Sequence, residues 1–167
     1  MSYPDIVVSG HRRFRAGPFR QDEAVTEADA LFGEEHVRRY RETDGVVGYI
    51  WRGAPTLILT TIGRTSGEPR ATPMIFGEDG DCVVVVASKG GSDEHPGWYR
   101  NLTKNPEVEA QIKADRFRAR ARTAEGEERR RLWGLMTAIW PAYDEYQAKT
   151  EREIPVVVLE RLSTRRL

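Results

Sequence analysis

The sequence predicts an α+β protein whose core is an antiparallel β-barrel of about six strands with helices at its flanks. Six short segments are rich in β-branched residues, and most of them are linked by hairpin signals. Helical patterns fall between strands instead of after each strand. A doubly wound parallel sheet needs a helix after nearly every strand, so this pattern disfavours that fold.

The first 33 residues mix proline, glycine, arginine and acidic residues without a sustained period. We expect them to form an N-terminal extension that is partly ordered at most, and residues 34–167 to form the barrel domain. The run EEHVRRYRET at 34–43 places Val37 and Tyr40 on one helical face, and Gly45 follows it. This spacing predicts a short helix that glycine terminates.

The first long strands follow this helix. The segment TLILTTI at 56–62 is rich in β-branched residues, and extended structure resumes at 71–76, where Pro73 indicates a sheet edge or a bulge. Asp79-Gly80 then precedes the apolar segment 82–88. Because Asp-Gly favours tight hairpin turns, we expect segments 71–76 and 82–88 to be neighbouring antiparallel strands.

The second half of the chain mixes helices and strands. Ser92 or Asp93 is expected to cap a short helix that ends near Pro106. At 116–123 four arginines alternate with apolar residues, which predicts one buried face and one solvated cationic face, and a nucleic-acid surface is less favoured. The remaining predicted elements are a strand at 108–113, an amphipathic helix at 125–140 and a last strand at 154–159.

Composition and charge exclude several classes of protein. Lys and Arg together number 26, as do Asp and Glu, so no net charge draws the chain of 167 residues to nucleic acid or to a membrane surface. The single cysteine, Cys82, excludes an internal disulfide and a multi-thiolate metal site, and the three histidines lack metal-ligand spacing. No secretory signal is recognisable and the longest apolar run is too short to cross a bilayer, so we expect a cytoplasmic protein.

The segment from Gly63 to Arg70 is the first candidate binding site. Two guanidiniums, two hydroxyls and two glycines fall within eight residues after a strand, and arginines donate forked hydrogen bonds to phosphate or carboxylate groups. The segment lacks the P-loop and dinucleotide fingerprints, so ATP and NAD are poor candidates. Taken alone, a polar hairpin loop without a ligand is the slightly better interpretation.

Two further segments carry candidate groups. Ser88 and Lys89 end an apolar strand before two glycines, an arrangement that suits either a ligand at a barrel mouth or a simple glycine turn. Trp140, Tyr143 and Tyr146 recur every third residue. This spacing indicates either an aromatic pocket with a phenol proton donor or ordinary core or interface packing.

Three motifs occur in order along the chain, LILTTIGRTSGEPRATPM, ASKGGSDEHPGWYRNLTKNPEV and AIWPAYDEYQAKTEREIPVVVL. Together they resemble the deazaflavin-dependent nitroreductase family, the quinone-reducing branch of the split β-barrel oxidoreductases. The resemblance covers about residues 34–160. It implies a split antiparallel β-barrel and coenzyme F420, an 8-hydroxy-5-deazaflavin that carries a phosphodiester and an oligoglutamate tail.

The resemblance also implies site residues, with Ser88, Tyr143 and Tyr146 as the catalytic ones. Those implied to bind the cofactor are Arg64, Thr65, Ser66, Arg70, Ala71, Thr72, Pro73, Met74, Ile75, Val86, Ala87, Ser88, Lys89, Gly97, Trp98, Tyr99, Arg100, Asn101, Trp140 and Tyr143. The chain departs from the family's usual pattern at Thr65, where a basic residue is common, and at Trp140, where tyrosine is common. These departures bear on phosphate contact and on substrate choice.

The implied activity is hydride transfer from reduced F420 to a quinone-like, nitroaromatic or enone acceptor, with Ser88 stabilising the acceptor oxyanion and Tyr143 as proton source. An FMN-dependent reductase on the same barrel and a non-catalytic deazaflavin or small-ligand binding protein are the alternatives. The expected partners are small-molecule acceptors and not nucleic acid. Contact with the inner face of the membrane is expected only if the acceptor is menaquinone.

Overall fold

This computed structural model of the chain describes residues 6–8, 12–14 and 27–163. Its helices are α1 Gly33–Glu42, α2 Gly97–Lys104, α3 Gly126–Ile139 and α4 Ala142–Ala148. Its strands are β1 Ile6–Val8, β2 Arg12–Phe14, β3 Ile50–Trp51, β4 Ala54–Ile62, β5 Pro69–Ile75, β6 Gly77–Asp79, β7 Cys82–Val86, β8 Glu107–Ile112, β9 Asp115–Thr123 and β10 Val156–Arg161. Short 3-10 turns cover Glu27–Ala30 and Lys89–Gly91.

Eight of the described strands form one antiparallel sheet, and most of them follow the order β3-β4-β8-β9-β10-β7-β6. β5 lies off this path and pairs with β4 alone, so β4 has β5 on one edge and β8 on the other. β1 and β2 pair with each other in a separate sheet. The sequence predicted about six strands of the large sheet, because β3 and β6 are too short to give a recognisable pattern.

Strands β7 and β10 are buried on both faces. In β7, Val83 and Val85 belong to one core cluster, and Val84 and Val86 belong to another. The consecutive apolar residues of β10 alternate between the same two clusters. The first cluster lies inside the curled sheet and includes a leucine of α2, whereas the second lies between the sheet and helices α3 and α4. These two strands therefore join the barrel interior to the helical layer.

Strand β9 has the two faces that its alternation predicted. Phe117, Ala119 and Ala121 are buried, and the arginines between them are exposed. Arg118 pairs with a glutamate of β8, and Arg122 pairs with Glu128 and Glu160. Because acidic groups on neighbouring elements satisfy these guanidiniums, the face is solvated and paired, as predicted.

Two local predictions are wrong. Segments 71–76 and 82–88 are not paired with each other, because β5 pairs with β4 and only the three residues of β6 form the hairpin with β7. The helix α2 is not capped by Ser92 or Asp93. It begins at Gly97 after Pro96, and the Ser92 hydroxyl instead accepts the Glu94 N–H at 3.3 Å.

The α1 helix is fastened to the sheet through one buried tyrosine. Tyr40 is 0% exposed, and its hydroxyl donates to Thr56 O at 2.9 Å and accepts the Lys113 N–H at 2.8 Å. These contacts connect α1 to the start of β4 and to the turn between β8 and β9. The position of α1 relative to the sheet is thereby fixed.

We predict that Tyr40→Phe lowers the free energy of unfolding by about 1–3 kcal/mol, because two backbone groups lose their shared partner in a buried place. Urea denaturation followed by circular dichroism measures this loss. Tyr49→Phe is the matched control, since no described residue hydrogen-bonds the Tyr49 hydroxyl, and it should cost less than about 0.5 kcal/mol. Equal losses in the two variants would contradict the bridging role of Tyr40.

Candidate functional site

A cavity of about 410 Å³ lies between β5 and the end of β7, two strands that are not hydrogen-bonded to each other. Its other walls come from the start of α1, from the residues at the start of α2 and from the junction of α3 and α4. The predicted site residues that line it are Pro73, Met74, Ile75, Val86, Ser88, Lys89, Trp98, Trp140, Tyr143 and Tyr146. Residues from three separate sequence motifs thus meet around one cavity.

The other predicted site residues do not line this cavity, and most lie beside it in the β4–β5 turn and on α2. They are Arg64, Thr65, Ser66, Arg70, Ala71, Thr72, Ala87, Gly97, Tyr99, Arg100 and Asn101. The turn contacts α2 directly, because Arg64 Nη1 donates to Gly97 O at 3.4 Å. Gly97 is next to Trp98, so the arginine-bearing turn is adjacent to the cavity wall.

Asn101 is the residue that fixes the β4–β5 turn. It is 6% exposed, and its Oδ1 accepts hydrogen bonds from Arg64 N at 3.1 Å and from Arg64 Nη1 at 2.9 Å. Its Nδ2 donates to Thr61 Oγ1 at 3.2 Å, and Lys104 Nζ donates to Arg64 O at 2.9 Å. Arg64 is therefore held by α2, whereas Arg70 is exposed and has no hydrogen bond or ion pair among the described residues.

Tyr143 is a largely buried residue of the cavity wall. Trp140 is the C-cap of α3, and the chain resumes helical structure at Ala142, which turns Tyr143 into the cavity wall. The side chain is 5% exposed. Burial, with a smaller contribution from Tyr146, raises the pKa of Tyr143 well above its usual value. No described residue hydrogen-bonds this hydroxyl, so it remains available as a donor at neutral pH.

The loop after β7 carries Ser88 and Lys89 and packs tightly against α4. Lys89, Gly90 and Gly91 all have positive φ angles, of 44°, 62° and 85°. A Cβ added at Gly91 would come within 2.6 Å of Tyr146 O. The Lys89 ammonium lies 3.7 Å from a Glu94 carboxylate oxygen, and the Ser88 hydroxyl has no hydrogen-bond partner among the described residues. The close approach of Gly91 to the backbone of Tyr146 sets the distance between two walls of the cavity: the serine wall, formed by Ser88 and Lys89, and the tyrosine wall, formed by Tyr143 and Tyr146.

An aromatic wall of the cavity was not predicted. Phe32 and Trp51 meet edge to face at a centroid distance of 5.8 Å, and Trp51 lies 6.0 Å from Trp140. The Arg52 guanidinium lies 4.5 Å from the Trp51 ring centre. His36, 3% exposed, also lines the cavity, with Nε2 2.8 Å from Gly48 O. No local motif could reveal this wall, because α1 and β3 reach the cavity only through tertiary packing.

A larger depression of about 580 Å³ lies between α3 and the segment that follows α4. It is open, and it is lined by charged residues such as Arg129, Arg130 and Glu153, but by none of the predicted site residues. Arg129 pairs with Glu153 at 2.8 Å and donates to Ile154 O at 2.7 Å. Arg130 pairs with Glu127, and Arg152, which also lines the depression, donates to backbone carbonyls. Because these arginines are already engaged, the smaller cavity is the better candidate for a functional site.

Comparison with known proteins identifies the family of the chain. A family model described as F420H(2)-dependent quinone reductase matches residues 32–161. The chain belongs to this family. F420H(2)-dependent quinone reductase Rv1261c of Mycobacterium tuberculosis is 41% identical over 130 residues, which are 75% of this chain and 87% of that relative. Membership makes the chain an oxidoreductase enzyme and makes coenzyme F420 its cofactor, as the three motifs predicted.

Solved structures confirm the split antiparallel β-barrel and the α+β class. The F420-H2 dependent reductase FDR-A is 42% identical with a TM-score of 0.60, over 64% of this chain and 94% of that one. A domain-swapped dimer is 41% identical with a TM-score of 0.62, over 74% and 96%. HutZ, a heme storage protein from Vibrio cholerae, is 17% identical with a TM-score of 0.54, over 80% and 92%, and shares the fold alone.

The part of the chain that the structure describes has neither a cluster of metal ligands nor a membrane-spanning helix. No group of three or more His, Cys, Asp or Glu side chains in this part of the chain could hold a metal ion. None of its helices is both long enough and apolar enough to cross a membrane.

We predict that Gly91→Ala destabilises the fold by about 1–3 kcal/mol more than Gly90→Ala, because its methyl group would collide with the backbone of α4. Gly90 also has a positive φ, but a Cβ there meets nothing within 4 Å, so Gly90→Ala carries only the cost of left-handed backbone. Thermal unfolding of both variants measures the difference. Equal stability of the two would show that α4 can move away from the loop.

Proposed function

We propose that the chain transfers a hydride from reduced F420 to a quinone-like acceptor, and that nitroaromatics and activated enones are further acceptors. One observation carries this proposal. Tyr143 and Ser88 line the same cavity, and neither hydroxyl has a hydrogen-bond partner among the described residues. Reduction of a carbonyl needs both stabilisation of negative charge on oxygen and a source of a proton, which two available hydroxyls can supply.

The residues fit the chemical character of F420, which combines a planar ring with an anionic tail. Trp98, Met74 and Val86 offer apolar cavity walls for a ring. Arg64 on the β4–β5 turn and Arg70 at the start of β5 are both exposed, so phosphate and carboxylate groups bound by them would stay close to solvent. Thr65 contributes a hydroxyl where a basic side chain is common in the family, so we assign tail binding mainly to the two arginines.

When bound, reduced F420 supplies the hydride and both electrons. The protein's own groups act on the acceptor: Ser88 Oγ would donate a hydrogen bond to the oxygen that gains negative charge, and Tyr143 would deliver the proton. Burial raises the pKa of Tyr143, so the phenol is in its protonated form at neutral pH. Tyr146 would form the pocket wall beside it, at a centroid distance of 6.1 Å. The aromatic residues around the cavity would exclude water from the reacting atoms.

We also propose that residues 1–33 form an N-terminal extension and that residues 34–167 form the barrel domain. Leu31 and Phe32 line the cavity, so the end of the extension would take part in the site. Phe32 is 62% exposed and Ile50 is 52% exposed. If the acceptor is a lipid quinone such as menaquinone, these apolar side chains would touch the membrane face transiently.

We expect Arg70→Ala to weaken F420 binding by roughly tenfold, because an exposed arginine pairs with an anionic tail, and to reduce the salt dependence of binding. Titration followed by tryptophan fluorescence measures the Kd at two salt concentrations. Arg116→Ala, an exposed arginine on β9, is the control and should bind as the unmodified chain does. Unchanged affinity for F420 in Arg70→Ala would contradict the role of this arginine in binding the tail.

The proton-donor role predicts that Tyr143→Phe lowers kcat by roughly 100-fold while the Kd for F420 stays within about twofold. Steady-state kinetics with reduced F420 and a menaquinone analogue provide kcat, and the fluorescence titration provides the Kd. Tyr49→Phe, outside the cavity, should retain full activity. If Tyr143→Phe turned over at the normal rate, the proton would have to come from another group.

A further inference from the structure

Arg152 lies between α4 and β10, and its guanidinium reaches back to the loop after β7. Nε donates to Ser92 O at 2.6 Å, Nη2 donates to Ser88 O at 2.8 Å, and Nη1 donates to Ala87 O at 3.2 Å. Nη1 also lies 3.1 Å from His95 Nδ1. One side chain thus holds three backbone carbonyls of the loop that carries two proposed site residues.

The environment of this guanidinium is unusual because its partners are neutral. Burial lowers the pKa of Arg152, and the Asp93 charge only partly opposes this shift. Burial, followed by Arg152 itself, lowers the pKa of His95, so its ring stays neutral and Nδ1 can accept a hydrogen bond. The positive charge is therefore stabilised by carbonyl dipoles and one imidazole instead of by a paired carboxylate.

These contacts fix the conformation of Ser88 in particular. Ala87 O and Ser88 O belong to the two peptide units on either side of Ser88, and both accept from one planar group with fixed donor directions. The orientation of the two peptide planes determines where the Ser88 side chain lies. A lysine ammonium has three rotatable donors on one atom, so it would not impose the fixed donor directions of the planar guanidinium on both peptide planes.

The backbone of Arg152 is tied to the opposite wall of the cavity. Gln147 on α4 donates from Nε2 to Arg152 O at 2.7 Å, and its Oε1 accepts the Ile154 N–H at 2.9 Å. Gln147 directly follows Tyr146, which is the residue whose backbone packs against Gly91. Arg152 therefore joins the serine wall to the tyrosine wall through its side chain and its main chain together.

We propose that Arg152 is a positioning residue for acceptor reduction: it holds Ser88 in place relative to the α4 tyrosines, so that Ser88 and Tyr143 act on one acceptor oxygen. This inference rests on the proposed function, because it assigns Arg152 to the same site. A purely structural arginine would contribute stability without affecting the contribution of Ser88 to turnover.

A double-mutant cycle between Arg152→Lys and Ser88→Ala tests the proposal. Displacing a catalytic group slightly costs roughly 10- to 100-fold in rate, so each single variant should lose that much kcat with reduced F420 and a menaquinone analogue. The double variant should lose no more than the poorer single variant, because Arg152 acts through Ser88. The Kd for F420 should stay within about twofold of that of the unmodified chain in all three variants.

Arg129→Lys is the matched control, because Arg129 also donates to a backbone carbonyl close in sequence, Ile154 O, but does not contact the loop. It should lose stability as Arg152→Lys does and keep its kcat. If Arg152→Lys does not fold, Gln147→Ala replaces it in the double-mutant cycle with Ser88→Ala, because Gln147 holds the main chain of Arg152. Losses of kcat that multiply in the double variant, or full kcat in Arg152→Lys, would overturn the proposal.

Amide hydrogen exchange separates failure of this inference from failure of the proposed function. Arg152→Lys should speed exchange in the segment 88–92 of the cofactor-free protein, while Arg129→Lys should leave that segment unchanged. If the unmodified chain reduces no acceptor, the proposed function fails whatever the exchange result. If the chain is active but exchange in 88–92 is unaltered, the inference about Arg152 alone is overturned.

Discussion

The two-sided burial of β7 and β10 is the constraint on which the rest of the structure depends. A strand with apolar side chains on both faces must have a core on each side, so the barrel interior and the α3–α4 layer form together around these strands. The end of β7 then delivers Ser88 to the cavity, and the helical layer delivers Tyr143. The segment that leads into β10 carries Arg152, which connects these two regions. The site is therefore a product of the same packing that makes the core.

Periodic segments could be predicted from the sequence because the spacing of apolar and polar residues within each segment determines its secondary structure. The alternation in β9 and the amphipathic α3 have the expected form, and a tight hairpin turn precedes β7, although its two turn residues are Gly80 and Asp81, not Asp79 and Gly80. The pairing of β5 could not be predicted in this way, since an Asp-Gly signal specifies a turn but not which of two preceding segments forms the hairpin. Phe32 and Trp51 were missed for a related reason: they reach the cavity through tertiary contacts, since β3 pairs with the start of β4 and Trp51 Nε1 donates to Leu31 O at 3.2 Å.

The three motifs identified the family correctly, and with it the fold and the cofactor, because their joint order is specific where each motif alone is weak. Individual side chains transfer less directly. The motif implies that Asn101 binds the cofactor, whereas its Oδ1 accepts from Arg64 and its Nδ2 donates to Thr61. Its contribution to binding would then be to hold the turn that carries Arg64.

The free side of β5 determines that the barrel stays split. Strand edges with unpaired N–H and C=O groups recruit further strands, and β5 faces β7 across the cavity without pairing to it. Pro69 and Pro73 are four residues apart, so their nitrogens point to the same side of the strand, and neither carries a hydrogen to donate. That side cannot support a continuous ladder of hydrogen bonds. The two prolines thus prevent β5 from pairing with β7 across the space that a ligand would occupy.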